Sequence, residues 1–307
     1  MRVLVLGAGG TGGYFGGRLA ESGADITFLV RPKRAALLAE RGLHIKSPAG
    51  DVVLPVKTIT ADQLTGDWDL VILSCKAYDL AEAITAITPA VGPNTTVLPI
   101  LNGLAHYQFL DAAFGHERVL GGLSHIFATL GPEGEVLVLR PIHRLTFGER
   151  AGGTSPRTAA IAKLCAKAKF DSVHSERLMQ DAWEKYVLLT TLAGMTCLMR
   201  ADIGTIMNSD DGDAICREMH GECTKVAEAA GHLPRPDARD LALGFVTDPN
   251  SRQTASMLRD LEGGGRTEGA HIIGDMLHRA RGFGMDAPLL RVANCHLQAY
   301  EIRRARG

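Results

Sequence analysis

Residues able to do chemistry fall into three places in this chain. The first is Gly7-Ala8-Gly9-Gly10-Thr11-Gly12, which fits G-x-G-x-x-G directly after the apolar run Arg2–Leu6. That spacing suits a strand-to-helix turn receiving a dinucleotide pyrophosphate. Gly7 permits the tight turn, Gly9 lets the backbone approach the phosphates, and Gly12 lets the helix pack against the strand. The unpaired N–H groups of the helix start, at its positive dipole end, would hold the anion. The second place is Lys185 in Ala182-Trp-Glu-Lys-Tyr186, among apolar neighbours on a helix. Hydride transfer to a carbonyl builds negative charge on its oxygen, and a partly desolvated ammonium is one group that could meet it. The third comprises Ser256 and Glu268, in Ser256-Met-Leu-Arg-Asp260 and Arg266-Thr-Glu268. Taken alone, Lys185, Ser256 and Glu268 read equally as solvated helix residues, because charged side chains mostly are.

Three more positions bear on the nucleotide. An NAD-preferring site presents an acid after the second strand, to the ribose 2′-hydroxyl. Here the chain reads Val30-Arg31-Pro32-Lys33-Arg34, three cations and no acid, which favours NADP(H) over NAD. The competing reading is a solvated basic helix start, which the helix dipole disfavours. Lys76 and Asn102 follow apolar strands at their carboxyl ends, where this type of sheet binds ligands. Either could also be a plain turn residue, Asn-Gly being a turn dipeptide in its own right.

The elements that would position these residues change character midway. Short apolar strands at 25–30, 68–74 and 95–101 alternate with helical segments at 32–42, 78–88 and 104–114. Segments 43–47 and 51–57 flank a Pro-Ala-Gly turn as a hairpin, and strand-like runs follow at 118–124, 135–140 and 144–148. A helix at 155–169 and the segment 170–174 end this half. Alternation with short connections predicts an α/β fold, a doubly wound and mainly parallel sheet. From Ser175 the periodicity is helical, near 176–199, 211–230, 235–245, 251–260, 266–283 and 287–304. We therefore expect a Rossmann-type nucleotide domain over 1–172 and an all-helical substrate and catalytic domain over 173–307.

The 307 residues carry a net charge of −1, which gives no global attraction to nucleic acid or anionic membrane. No apolar stretch approaches the roughly 20 residues of a membrane helix, and the glycine motif leaves no room for a signal peptide before it. The six cysteines form no C-x-x-C and suit reduced thiols in a cytoplasmic protein. Cys216, His220 and Cys223 share one helix face, as do His271, Asp275 and His278. Both sets read better as ordinary helix faces than as metal ligands, so no metal is expected.

These motifs, in this order, resemble the ketopantoate reductase (2-dehydropantoate 2-reductase) family over nearly the whole length. Gly7 to Gly12 match its phosphate loop, Arg31 its basic residue at the 2′-phosphate, Ser74-Cys-Lys-Ala77 its lysine-bearing strand end, and Asn102-Gly103 its asparagine loop. Trp183-Glu-Lys185 looks like its W-x-K motif. The resemblance implies NADPH-dependent reduction of a 2-oxo acid, with Lys185 as general acid and substrate ligand, Ser256 as substrate ligand, and Glu268 orienting cofactor and lysine. It also implies asparagines four and eight residues after the lysine, where this chain has Leu189 and Ala193. That departure leaves open a more apolar 2-oxo acid or an imine as substrate, and a sensor of NADP(H) remains a non-enzymatic alternative. The helical half could supply the surface of a homodimer, although no residue in it marks one.

Overall fold

The structure, a computed structural model, describes residues 1–306 of the chain. It divides into two compact units: Met1–Asn102 with His106–Leu178, and Gly103–Ala105 with the chain from Met179 onward.

The first unit opens β1 (Arg2–Leu6), α1 (Gly10–Glu21), β2 (Asp25–Leu29), α2 (Pro32–Arg41), β3 (Leu43–Lys46), β4 (Val52–Leu54) and β5 (Lys57–Ile59). It continues with β6 (Leu70–Leu73), α3 (Leu80–Ile87), β7 (Thr96–Pro99), α4 (His106–Phe114), β8 (Gly121–Leu130), β9 (Val136–Gly148), α5 (Pro156–Cys165) and β10 (Asp171–His174). One sheet runs β5-β2-β1-β6-β7 with every pair parallel. Its central strands lie between helices and are buried on both faces, so they read as unbroken apolar runs such as Val3-Leu4-Val5. Each such side chain removed from water contributes about 1.5–3 kcal/mol. Phe15, Leu19, Phe28, Leu43 and Ile45 tie α1, β2 and β3 into the same core. The expected hairpin is the antiparallel β3–β4 pair, in a second sheet ordered β10-β9-β3-β4.

One difference concerns the three strand-like runs after residue 118. They form only two strands, β8 and β9, paired antiparallel with a register shift between Ile126 and Ala128. Pro141 falls in that irregularity, where its missing N–H costs no ladder bond. The proline makes one strand look like two.

The second unit is helical: α6 (Leu178–Met199, Leu178 itself grouping with the first unit), α7 (Ile203–Met207), α8 (Gly212–Ala229), α9 (Pro236–Val246), α10 (Ser256–Glu262), α11 (Asp275–Gly282) and α12 (Pro288–Ala305). Most sides of α6 are buried, including Trp183, Tyr186, Val187 and Ala193, as befits a helix surrounded by others. Its buried hydroxyls at Thr191 and Thr196 donate to carbonyls one turn back, at 2.9 and 2.7 Å. Cys216, His220 and Cys223 belong to the buried stripe of α8, and burial pushes the Cys216 thiol up to about 11 and that of Cys223 to about 12.

Two helices differ from their sequence outlines. The segment expected as helix from 251 is extended until Ala255, because the Ser251 and Gln253 carbonyls accept from the first N–H groups of α7 at 2.7 and 3.1 Å. The segment expected as one helix over 266–283 instead begins with a π-helical turn, Ala270–Gly274, ahead of α11. This wider turn takes His271 out of α-helical register with Asp275 and His278. No helix among the described residues is long and apolar enough to cross a membrane.

Candidate active site

In the first unit the glycine motif lies between β1 and α1, and each glycine has its own surroundings. Gly7 takes φ +89°, a left-handed conformation open chiefly to glycine. A Cβ on Gly12 would overlap the Ser74 hydroxyl and lie 2.5 Å from the Gly7 carbonyl oxygen. Ser74 cannot retreat freely, since its hydroxyl donates to the Leu6 carbonyl at 2.8 Å. Gly9, which starts α1, has nothing within 4 Å of the same position. No side chain caps that helix start, so the N–H groups of Gly10, Thr11 and Gly12 are left for an anion. Close packing at Gly12 and open space at Gly9 fit a dinucleotide phosphate.

The basic run after β2 separates into distinct tasks. Arg34 is half-buried and spends its donors on the Ala8 carbonyl (2.8 Å) and the Gly134 carbonyl (2.7 Å). It braces the glycine loop against the β8–β9 turn, a role that the sequence did not suggest. Arg31 projects from the start of α2, 69 % exposed, with its guanidinium 2.9 Å from Glu82 and 3.9 Å from Asp79. An exposed pair of this kind is worth at most about 1 kcal/mol, so Arg31 can exchange Glu82 for another anion. Lys76 and Asn102, both half-buried, follow β6 and β7 at the carboxyl ends of those strands.

In the second unit, Lys185 and Glu268 interact electrostatically. Lys185 sits on α6, and burial draws its ammonium pKa down from 10.5 to about 8, with the Glu268 carboxylate opposing the fall. Glu268 is itself buried, with 7 % of its surface exposed. The segment bearing it is held from α12, where Glu301 accepts from the Thr267 N–H and hydroxyl at 2.7 and 2.8 Å. The preceding turn of α6 is braced by Arg235, whose Nε donates to Glu184 at 2.8 Å. Ser256 is half-buried in the first turn of α10. Leu189 is half-buried on α6 one turn after Lys185, and Ala193, a further turn on, is fully buried. A half-buried lysine with its pKa drawn down to about 8, interacting with a buried carboxylate, can hold a proton ready for an oxygen that gains charge.

The ketopantoate reductase signature, described as Ketopantoate reductase PanE/ApbA, matches residues 3–152, and its C-terminal counterpart matches residues 177–301. The chain belongs to the ketopantoate reductase family. Within it, the chain is 37 % identical over 304 residues to the uncharacterized oxidoreductase YkpB of Bacillus subtilis (strain 168), covering 99 % of this chain and all of that one. The crystal structure of 2-dehydropantoate 2-reductase from Geobacter metallireducens GS-15 superposes with a TM-score of 0.88 at 28 % identity, covering 97 % of this chain and 99 % of that one. D-mandelate dehydrogenase, solved with NADH and anilino(oxo)acetate, shares the fold with a TM-score of 0.88 at 20 % identity, covering 99 % of this chain and all of that one. Membership makes this chain an oxidoreductase of the NAD(P)-dependent kind.

Sequence reasoning counts Arg34 only among the cations offered to a 2′-phosphate, whereas its donors go to the Gly134 and Ala8 carbonyls, and it does not pick out Glu82 or Tyr186. Arg34 could have been separated from Arg31 by its place inside α2. Nothing in the spacing signals the approach of Glu82 from α3.

Proposed function

We propose that this protein reduces a 2-oxo acid to the 2-hydroxy acid with NADPH, with 2-dehydropantoate as the reference substrate. The observation that carries the reading is Lys185, held near its titration point by burial and kept charged by Glu268. In this reading the first unit holds the nucleotide through Gly7, Ala8, Gly9, Gly10, Thr11 and Gly12, with Arg31 at the 2′-phosphate and Lys76 and Asn102 nearer the ribose and nicotinamide. The bound cofactor supplies the hydride. The ammonium of Lys185 binds the carbonyl oxygen and gives it a proton as charge develops there. Glu268 favours the charged lysine in the resting state, and Ser256 hydrogen-bonds the polar end of the substrate.

Leu189 and Ala193 support a second reading, a more apolar 2-oxo acid as substrate. A site that hydrogen-bonds a substrate hydroxyl discriminates strongly, and removing the partner forfeits that discrimination. The decisive experiment follows loss of NADPH or NADH absorbance with the purified protein and a panel of 2-oxo acids that includes 2-dehydropantoate and aryl members. Highest kcat/KM on 2-dehydropantoate supports the first reading and highest on an apolar acid the second. Binding of NADPH without turnover of any member would replace both with a sensor.

Cofactor choice has its own test. Replacing Arg31 by Ala should weaken NADPH binding about tenfold or more, the worth of one charge-assisted hydrogen bond, and leave NADH nearly unchanged. Glu82→Gln should do the opposite to NADPH, by freeing the guanidinium from its present partner. Fluorescence titration of both nucleotides reads this, and equal weakening of both by Arg31→Ala would remove Arg31 from the 2′-phosphate.

A further inference from the structure

Tyr186, next to Lys185 on α6, is almost wholly buried and is tied into the turn that follows Glu268. Its hydroxyl lies 2.7 Å from the Ile272 carbonyl and 2.9 Å from the Asp275 carboxylate, sharing one hydrogen between two acceptors. Ile272 belongs to the π-helical turn, and its own N–H donates to the Glu268 carbonyl at 3.0 Å. Two hydrogen bonds therefore connect the residue beside the lysine to the backbone of the glutamate. Arg279 donates to Asp275 at 2.8 Å and lies over the Trp183 ring, which fixes the second acceptor as well. A π turn carries one more residue per hydrogen-bonded loop than an α turn and is kept where a side chain must be re-aimed.

Resting on the functional reading above, we infer that Tyr186 is a positioning residue that sets the separation between Lys185 and Glu268 by gripping the π turn at Ile272. The tyrosine itself touches no reacting atom. It acts through Glu268, whose carboxylate is the charge that faces Lys185. The charged and titratable groups around the Tyr186 hydroxyl are Asp275, Arg279 and Cys223, and burial first and Asp275 second hold that hydroxyl protonated far above its ordinary range.

Tyr186→Phe keeps the ring and removes only the grip. The expected result is unchanged NADPH affinity, kcat lower by about tenfold, and a downward move of the apparent pKa in the pH profile of reduction. The move has the same direction as in Glu268→Gln, and adding Tyr186→Phe to Glu268→Gln moves the profile no further. An apparent pKa does not depend on how much protein is folded, so poor yield of the variant leaves the test intact. A wild-type pH profile in Tyr186→Phe overturns the inference, as does a further shift in the double variant. Lys185→Met separates the two levels of the argument. If it still reduces substrate, the functional reading falls and takes this inference with it. If it is inactive while Tyr186→Phe keeps the wild-type profile, only the inference falls.

Discussion

Lys185→Met should all but abolish carbonyl reduction, leave nucleotide binding in place and make the protein more stable. Loss of a positioned general acid costs about 10²–10⁴ in rate, and Met fills a similar volume without the charge. The pH dependence follows from the lysine pKa, about 8 in the folded protein against an ordinary 10.5. In the proposed mechanism reduction uses the ammonium, so kcat/KM for reduction should be flat below about pH 8 and fall above it, while the reverse oxidation gains. Glu268→Gln removes the charge that opposes the fall, and the break moves to lower pH. Stability has the opposite sign from a salt-bridged lysine. Below pH 8 the lysine is charged in folded and unfolded chains alike, and the cost of burying that charge is present in full. As pH rises towards 10.5 the folded chain sheds its proton first and the cost disappears. Lys185→Met should therefore gain about 1–3 kcal/mol at pH 7, a gain that dwindles as pH rises from about 8 towards 10.5, a trade of stability for activity common at such sites. Steady-state kinetics and denaturant unfolding across pH check both halves, and a Met variant with wild-type kcat would remove Lys185 from the chemistry.

The parts of this molecule that the sequence displays are those governed by local rules. Glycine spacing, apolar runs and helix starts at Pro32, Pro236 and Pro288 report the strand–helix alternation and the passage to helices, because each depends on residues within a few positions. The runs 135–140 and 144–148 are one strand, β9, because the register shift that absorbs Pro141 is set by the pairing with β8 and not by local sequence. The start of α10 falls later than local periodicity implies for the same kind of reason, since α7 draws residues 251–253 into an extended path. Residue types and spacing leave Lys185, Ser256 and Glu268 as separate helix residues, and only the family resemblance groups them. The shifted titration of Lys185 comes from burial and from a charge 83 positions along the chain, neither of which spacing encodes. The π turn was hidden completely, because Arg266 to Phe283 keeps a periodicity that an ordinary helix would satisfy.

The two glycines that flank Gly10 and Thr11 should respond to alanine in opposite ways. Gly9→Ala places its methyl in open space on a backbone with φ −84°, which any residue adopts, so the fold should tolerate it within about 0.5 kcal/mol. That same methyl stands where a pyrophosphate would meet the start of α1, and nucleotide affinity should fall by tenfold or more, the equivalent of about 1.4 kcal/mol. Gly12→Ala drives its methyl into the Ser74 hydroxyl and the Gly7 carbonyl. Relief requires breaking the Ser74–Leu6 hydrogen bond or moving α1 off β1, and overpacking on this scale costs about 1–3 kcal/mol or more. Binding would then be lost through the fold rather than through the phosphate contact. Denaturant midpoints and NADPH titrations on both variants separate the two mechanisms. A Gly9→Ala protein that binds NADPH as tightly as the native chain would mean that the phosphates do not approach α1 there, and the assignment of this loop to the nucleotide would have to be abandoned.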